Sequence, residues 1–310
     1  MMFDIREAVV EISGPGRGRE SLAEFGKKRG SLGDFPRMKR TICNITAGAS
    51  DSGFAEIGLR NCSVFLLKSL GVTFSYRDGK LSGHSYFPSK GGKREIAIVK
   101  DLDEAESRIL MELKRLRSEW DSLAGAIEAG CDIALFDGSL VPLPSAVPKK
   151  GSGIYREFEK LSEAIGRARA MASKKGTVLA GMVKDSRSSR LCGIIGMECN
   201  DSVLMEGALA EGEATPPLPY SEERKDVLFS YMKTGRDLVF RIEWFSDYLE
   251  SPLQTVYSLC GVTGYGYPPP LVEADLRASI RKSEFEAAEK SIKSRFPGLV
   301  RMRERRPFRR

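Results

Sequence analysis

The side chains with chemistry to offer are acids: Asp51, Asp137, Glu112 or Glu119, and Asp275 with its neighbour Glu273. Asp137 closes a short apolar run, Asp132-Ile-Ala-Leu-Phe-Asp-Gly-Ser-Leu140, and stands where a strand buried on both faces would end at a turn. An acid there is either a crevice ligand or the start of an Asx-turn. Asp51 sits in Gly48-Ala-Ser-Asp-Ser-Gly53, which alone reads as a glycine-rich turn. Two carboxylates brought close together repel unless a proton or a cation lies between them. For hard oxygen ligands that cation is a divalent metal. Nothing else in the composition competes for this role. Six cysteines (43, 62, 131, 192, 199, 260) contain no CxxC pair, and His84 is the one histidine. Zinc sites and histidine-based triads are therefore disfavoured. The cysteines read as small buried hydrophobes in a reducing compartment.

Certain elements must position these acids. Strands are expected over 41–47, 63–70 and 72–76, with a further short strand over 95–99 and His84 in a polar loop. Residues 102–129 have Ile109, Leu113, Leu116, Trp120 and Leu123 at helical spacing, with Asp101 and Asp103 as caps and Gly130 as the stop. Glu112 and Glu119 are two turns apart on that helix, and Glu119 is nearer the end that feeds the next strand. Against a ligand role, both could pair with Arg115 and Arg108 in solvent. Strand 132–136, helix 155–174 and strand 177–183 follow. Then come an acidic excursion over 201–220, a helix near 221–233, a strand over 238–244 and a helix near 252–260. Last is a helix over 272–294, entered through Gly264-Tyr-Gly-Tyr-Pro-Pro-Pro-Leu271. Short helices are expected at 2–12 and 19–29.

Three antiparallel strands followed by alternating helices and strands give an α/β fold. Its order is that of an RNase H-like mixed sheet flanked by helices, with additional helical elements. In that order the first and fourth strands are neighbours, so Asp51 and Asp137 meet. The expected divisions are a basic helical segment over 1–40, the sheet domain over 41–300 with an insertion at about 195–260, and a basic tail over 301–310.

The chain has 310 residues and a net charge of +7. Residues 16–40 carry eight Lys/Arg against three acids, and 301–310 carry six Arg against one Glu, which leaves 41–300 near neutral. Such ends suit an anionic polymer or an acidic protein partner. No apolar run is long enough to span a membrane, and the N-terminus has no signal-peptide core. The expected setting is cytoplasmic, with no membrane association.

The order and spacing of several short motifs resemble the NurA family of archaeal DNA-end-processing nucleases, over nearly the whole chain. The motifs are Ala47-Gly-Ala-Ser-Asp51-Ser-Gly, Arg117-Ser-Glu119-Trp, Asp137-Gly-Ser-Leu and Val183-Lys184-Asp-Ser. Phe229-Ser-Tyr-Met-Lys, Arg241-Ile-Glu243 and Gly266-Tyr267-Pro-Pro-Pro-Leu-Val-Glu-Ala-Asp275 complete the set. The resemblance implies an RNase H-like fold, a homodimer, and manganese (or magnesium) with two ions per site. It also implies a hexameric HerA-type ATPase as partner. It carries the family's metal-site acids onto Asp51, Glu119 and Asp137, and its tyrosine onto Tyr267. Eight residues after that tyrosine the family usually has histidine. Here the position is Asp275, itself a competent ligand. The expected function is a metal-dependent DNA nuclease, a 5′–3′ exonuclease and single-strand endonuclease in double-strand-break resection. Asp51 and Asp137 would bridge the ions, and Glu119 and Asp275 would complete their shells. Lys184 and Tyr267 would face the scissile phosphate of single strands and duplex ends. Arg187, Arg190, Arg301, Arg303, Arg305 and Arg306 would contact the DNA backbone. Two rivals are a non-catalytic DNA-binding adaptor and an RNase H-like nuclease acting on RNA or hybrids.

The tail yields a prediction of its own. Six arginines in ten residues cannot form a core, so their use is electrostatic. Deleting 301–310 is expected to lower DNA affinity and flatten its dependence on salt, because fewer counterions are released. Turnover on a short saturating substrate is expected to survive. Filter binding across a salt series, alongside a turnover assay, checks both.

Overall fold

The computed structural model describes residues 17–41, 44–100, 102–248 and 251–301. The expected helix over 2–12, the Asp101 cap, Cys43 and the arginines 303, 305 and 306 lie outside them. In chain order the elements are α1 (Arg17–Lys28), β1 (Thr46–Gly58), β2 (Ser63–Arg77), β3 (Lys80–Phe87), β4 (Lys93–Val99) and α2 (Glu104–Glu128). Then follow β5 (Ile133–Asp137), α3 (Tyr155–Lys175), β6 (Val178–Val183), α4 (Arg190–Ile194), α5 (Asp201–Ala208), β7 (Leu218–Pro219), β8 (Val227–Gly235) and β9 (Leu238–Phe245). The chain closes with α6 (Leu253–Gly261), α7 (Pro269–Ala278) and α8 (Lys282–Arg295). These elements divide into two compact units, Thr41–Met182 with Ser258–Arg310, and Met1–Arg40 with Val183–Tyr257.

The larger unit is an RNase H-like mixed sheet in the order β3-β2-β1-β5-β6, with β4 also paired to β2. β2 is antiparallel to β1, β3 and β4, whereas β5 runs parallel to β1 and β6 parallel to β5. Each parallel step is made by a helical crossover, α2 before β5 and α3 before β6. α2 begins where Asp103 accepts a hydrogen bond from the Glu106 backbone N–H at 2.8 Å. Trp120 of α2 stacks on Phe136 of β5, with centroids 4.4 Å apart and planes 19° apart. Both rings are almost fully buried. That stack ties the helix carrying Glu119 to the strand carrying Asp137.

Several sequence expectations are corrected here. The stretches 63–70 and 72–76 are one strand, β2, because Gly71 is not a break. A Cβ at Gly71 would meet the Ser122 carbonyl oxygen at 2.4 Å, so glycine is there to let α2 lie close on the sheet. His84 is not in a loop but in β3. Asp51 lies inside β1 rather than just past it, since that strand runs on to Gly58. The terminal helix is two helices, and the second opens with Glu284 accepting a hydrogen bond from the Arg281 N–H at 3.0 Å.

The smaller unit is built on the antiparallel strands β7, β8 and β9. Phe25 of α1, Leu204 and Met205 of α5, and Phe229 and Tyr231 of β8 share its core. The segment 221–233, expected as helix, becomes strand β8 from Val227 onward. The acids of 222–226 resemble a helix start, but the aromatic and β-branched run behind them is buried on both faces. Cys192 and Cys199 form a disulfide rather than two separate thiols. Asp201 is fully buried and accepts hydrogen bonds from the backbone N–H groups of Leu191 and Cys192 and from the Tyr231 hydroxyl. Among the described residues no helix is long and apolar enough to cross a membrane.

Candidate metal centre

The larger unit gathers Asp51, Glu119, Asp137, Tyr267 and Asp275. β1 and β5 pair in parallel with Ser50 opposite Phe136, so the next residue of each strand is an aspartate and the two stand side by side. α7 adds Asp275, whose side chain hydrogen-bonds that of Asp51. Two contacts seat α7 on the sheet. A Cβ at Gly53 would meet the Ala278 carbonyl oxygen at 2.9 Å, so only glycine admits the helix end at this point of β1. The buried Lys68 ammonium donates to the Ser279 carbonyl at 3.3 Å, a cation placed at the negative end of the helix. Tyr267, ahead of the three prolines that open α7, brings its buried phenol close enough to Asp137 to feel that carboxylate's charge.

Alternation along β1 sends Asp51 and Ser52 to opposite faces of the sheet. On the α2 side, the Ser52 hydroxyl donates to Glu119 Oε2 at 2.6 Å. Arg115 donates to the same oxygen at 2.9 Å and to the Ser52 hydroxyl at 3.1 Å. Its other nitrogens hold Glu112 Oε2 at 2.9 Å and Oε1 at 2.6 Å. Of the two helix candidates, Glu119 is thus the fully buried one, and Glu112 is engaged by Arg115. Sequence reading missed Ser52 and the role of Arg115. The signal was the Glu112/Arg115/Glu119 spacing, but i,i+3 and i,i+4 pairs ordinarily mark a solvated helix face.

The electrostatics describe carboxylates crowded against one another. Burial raises the Asp51 carboxyl from its ordinary 3.8 to about 7; the Ser52 backbone N–H opposes this, and the charges of Asp137 and Asp275 add to it. Burial likewise holds Glu119 above the usual range, against the Arg115 charge and with that of Asp51. For Arg115, burial works against the charged form. The Glu112 hydrogen bond and the charges of Glu119, Glu112 and Asp51 outweigh it and raise the guanidinium further. Burial first, then the Asp137 charge, raise the Tyr267 phenol, so its proton stays on.

Does this set fit a metal? The donor chemistry does. It consists of hard oxygens, two of whose carboxyls, Asp51 and Glu119, are raised by burial and by the charges of their neighbours. Glu119 Oε1 is buried and has no hydrogen-bond partner among the described residues, although Oε2 has two. A buried carboxylate oxygen left unmatched is costly unless a proton or cation meets it. No three His, Cys, Asp or Glu side chains among the described residues stand as a ready-made cage. Asp51 and Asp275 instead hydrogen-bond each other, and Glu119 is held by Ser52 and Arg115.

The chain's sequence matches the family described as the NurA domain over residues 46–280. It belongs to the NurA family. The matched span begins at β1 and ends just past α7, so it contains all five residues of the cluster. The fold agrees. The NurA nuclease from Sulfolobus solfataricus is similar at 18% identity and a TM-score of 0.64, over 96% of this chain and 98% of that one. A NurA bound to dAMP and manganese is similar at 10% identity and a TM-score of 0.62, over 97% and 98%. A NurA with manganese gives 10% and 0.57, over 96% and 99%. No curated protein matches in sequence.

The remaining sequence candidates of the NurA reading are Lys184, Arg187, Arg190 and Arg301. Lys184, Arg187 and Arg190 belong to the smaller unit, the first two between β6 and α4 and the third at the first residue of α4. Lys184 and Arg187 are exposed. Arg190 is paired with Glu222 at 2.9 Å. Arg301 is half-buried, and its Nε donates to the Leu59 carbonyl at 3.3 Å, which docks it beside the end of β1.

Arg115 gives the prediction of this section. Arg115→Lys keeps one charge but loses the planar fork that holds Ser52, Glu112 and Glu119 together. Manganese affinity is expected to fall by about 10- to 100-fold, the range for removing a group that orients a metal ligand. Calorimetry of the metal-stripped protein checks it; unchanged affinity would leave Arg115 a purely structural ion pair.

Proposed function

We propose that the chain is a divalent-metal-dependent DNA nuclease, a 5′–3′ exonuclease and single-strand endonuclease that processes DNA ends. The observation that carries this reading is the meeting of Asp51, Asp137, Asp275 and Glu119 in one unit, with Asp51 raised to about 7 by burial and by its acidic neighbours. Family membership supports it, as do fold relatives described as a nuclease and as bound to manganese and dAMP. Manganese is the expected ion, and magnesium its substitute, with two ions per site.

Asp51, Asp137 and Glu119 would hold the ions, with Asp275 at the exposed rim. A divalent cation supplies charge to offset the phosphoryl oxygens and makes a water acidic enough to attack at neutral pH. The chain's own residues do the rest. The Ser52 N–H donates to Asp51 Oδ1 at 2.7 Å and fixes which oxygen faces Asp137 and Asp275. Tyr267 keeps its proton beside Asp137 and presents a neutral phenol to the cluster. Arg115 and Ser52 bind one oxygen of Glu119 and leave the other to point inward. We assign DNA-backbone contacts to Lys184, Arg187 and Arg190, the last by exchanging Glu222 for phosphate, and to the basic tail. We also assign a HerA-type hexameric ATPase and a second copy of the chain as partners in end resection for break repair.

The test is degradation of labelled single-stranded DNA and of the same sequence as RNA, in manganese, with and without a HerA-type ATPase. Cleavage of DNA in preference to RNA, stimulated by the ATPase, is expected. Preference for RNA, or metal-dependent binding without cleavage, would overturn the proposal.

A further inference from the structure

His84, the chain's one histidine, takes no part in the chemistry above. It lies on β3, where His84 and Tyr86 point to the same face by alternation. In the register with β2, His84 stands opposite Phe74 and Tyr86 opposite Val72. Phe74, His84 and Tyr86 form a continuous row. The Phe74 and His84 centroids are 6.4 Å apart at 68°, and those of His84 and Tyr86 are 5.4 Å apart at 71°. These are edge contacts rather than stacks, so the row does not use up its ring faces on itself. His84 is exposed, and Phe74 and Tyr86 are half-buried.

The row lies on the face of the sheet that carries α7. The Tyr86 hydroxyl donates to Glu273 at 2.7 Å, and Arg277 Nε donates to the same oxygen at 2.8 Å. The Arg277 guanidinium also sits over the Tyr86 ring, 5.7 Å from its centroid. Lys90 adds a further positive charge near Glu273. Glu273 precedes Asp275 by two residues on α7, and Asp275 hydrogen-bonds Asp51. In the sheet Asp51 stands opposite Leu70, on the same side of β2 as Val72 and Phe74. Tyr86 is therefore two strands across and two residues along from Asp51, about 12 Å at the usual strand spacing and rise. The row thus leads from the sheet edge toward the carboxylate cluster, with two cations beside it.

An exposed ring continued by half-buried ones, with cations beside them, suits a chain of unpaired bases on a phosphate backbone. A blunt duplex hides its base faces and gains nothing from them. We propose that His84, with Tyr86 and Phe74, is a stacking platform for the single-stranded DNA that enters the cluster. Its link to catalysis rests on the nuclease reading; the binding itself does not.

The experiment measures anisotropy of a fluorescein-labelled oligothymidylate, its abasic counterpart and a blunt duplex, in EDTA so that nothing is cleaved. His84→Ala is expected to weaken oligothymidylate binding by about ten-fold or more, the cost of one lost base-stacking ring. The abasic strand and the duplex are expected to bind it as they bind the wild type. His84→Phe restores a ring and is expected to restore binding. Tyr86→Phe keeps its ring and loses only the Glu273 bond, so its oligothymidylate affinity is expected to hold. Equal affinity of wild type and His84→Ala for the oligothymidylate, or an equal loss on the abasic strand, overturns the proposal. Because no metal or turnover is involved, that outcome leaves the nuclease reading standing, and loss of the nuclease reading leaves the platform testable.

Discussion

Asp51→Asn and Asp137→Asn are each expected to reduce manganese-dependent DNA cleavage by about 10³-fold or more while the protein stays folded. Asparagine matches aspartate in shape and, at position 51, keeps an oxygen for the Ser52 N–H. It supplies neither the charge nor the second hard oxygen that a shared divalent ion requires. Losing a single preorganised electrostatic partner of a transition state costs roughly 10²–10³-fold, and a charged group that would hold the metal is expected to cost at least the upper end of that range. The two substitutions act on one unit, so the double variant is expected to be little worse than either single one. Single-turnover cleavage of labelled single-stranded DNA, with circular dichroism to report the fold, measures this. Cleavage within about ten-fold of wild type would remove the pair from the reaction.

The same substitution is expected to stabilise the metal-free protein. The Asp51 carboxyl is raised from 3.8 to about 7, by burial first and then by Asp137 and Asp275. Between those values the folded state keeps a proton that the unfolded chain has released. Stability therefore falls as pH rises from about 4 to about 7, and is flat above that. A shift of that size corresponds to about 4 kcal/mol at most, at roughly 1.4 kcal/mol per pH unit. Asp51→Asn removes the charge and part of this cost. In EDTA at pH 8 it is expected to unfold at higher urea than wild type, by about 1–3 kcal/mol, with the gap closing toward pH 5. Manganese is expected to reverse the order, since it stabilises only the protein that binds it. Urea midpoints at the two pH values, with and without metal, check the whole pattern. No gain at pH 8 would mean that the cluster is not strained by charge.

Much of this centre was legible from the chain. The apolar run ending in Asp137, the helical spacing of 102–129 and the crossover rule were enough to bring Asp51 beside Asp137. Trp120 and Phe136 then had to pack, being the large apolar residues of adjoining elements. What was not legible depended on partners distant in sequence. Gly71 reads as a strand break until the Ser122 carbonyl above it is known. His84 looks like loop because β3 is an exposed edge strand with little apolar alternation. The acids of 222–226 suggest a helix start, yet the next residue begins a strand whose burial no local propensity reveals. Arg115 is the instructive miss. Its spacing to Glu112 and Glu119 was visible, but only the sheet packed beneath α2 turns a solvated pair into a buried one. The Cys192–Cys199 pairing has no signature in its spacing and follows from the turn after α4.

The most direct measurement is a calorimetric titration of manganese into the metal-stripped protein, with Asp51→Asn, Asp137→Asn and Glu119→Gln in parallel. If these acids form the metal centre, the wild type binds saturably and releases protons as the crowded carboxyls give up theirs. The variants then lose that heat and that proton release together. Saturable binding unchanged in all three variants, or no binding by a wild type that still cleaves DNA, would contradict the account.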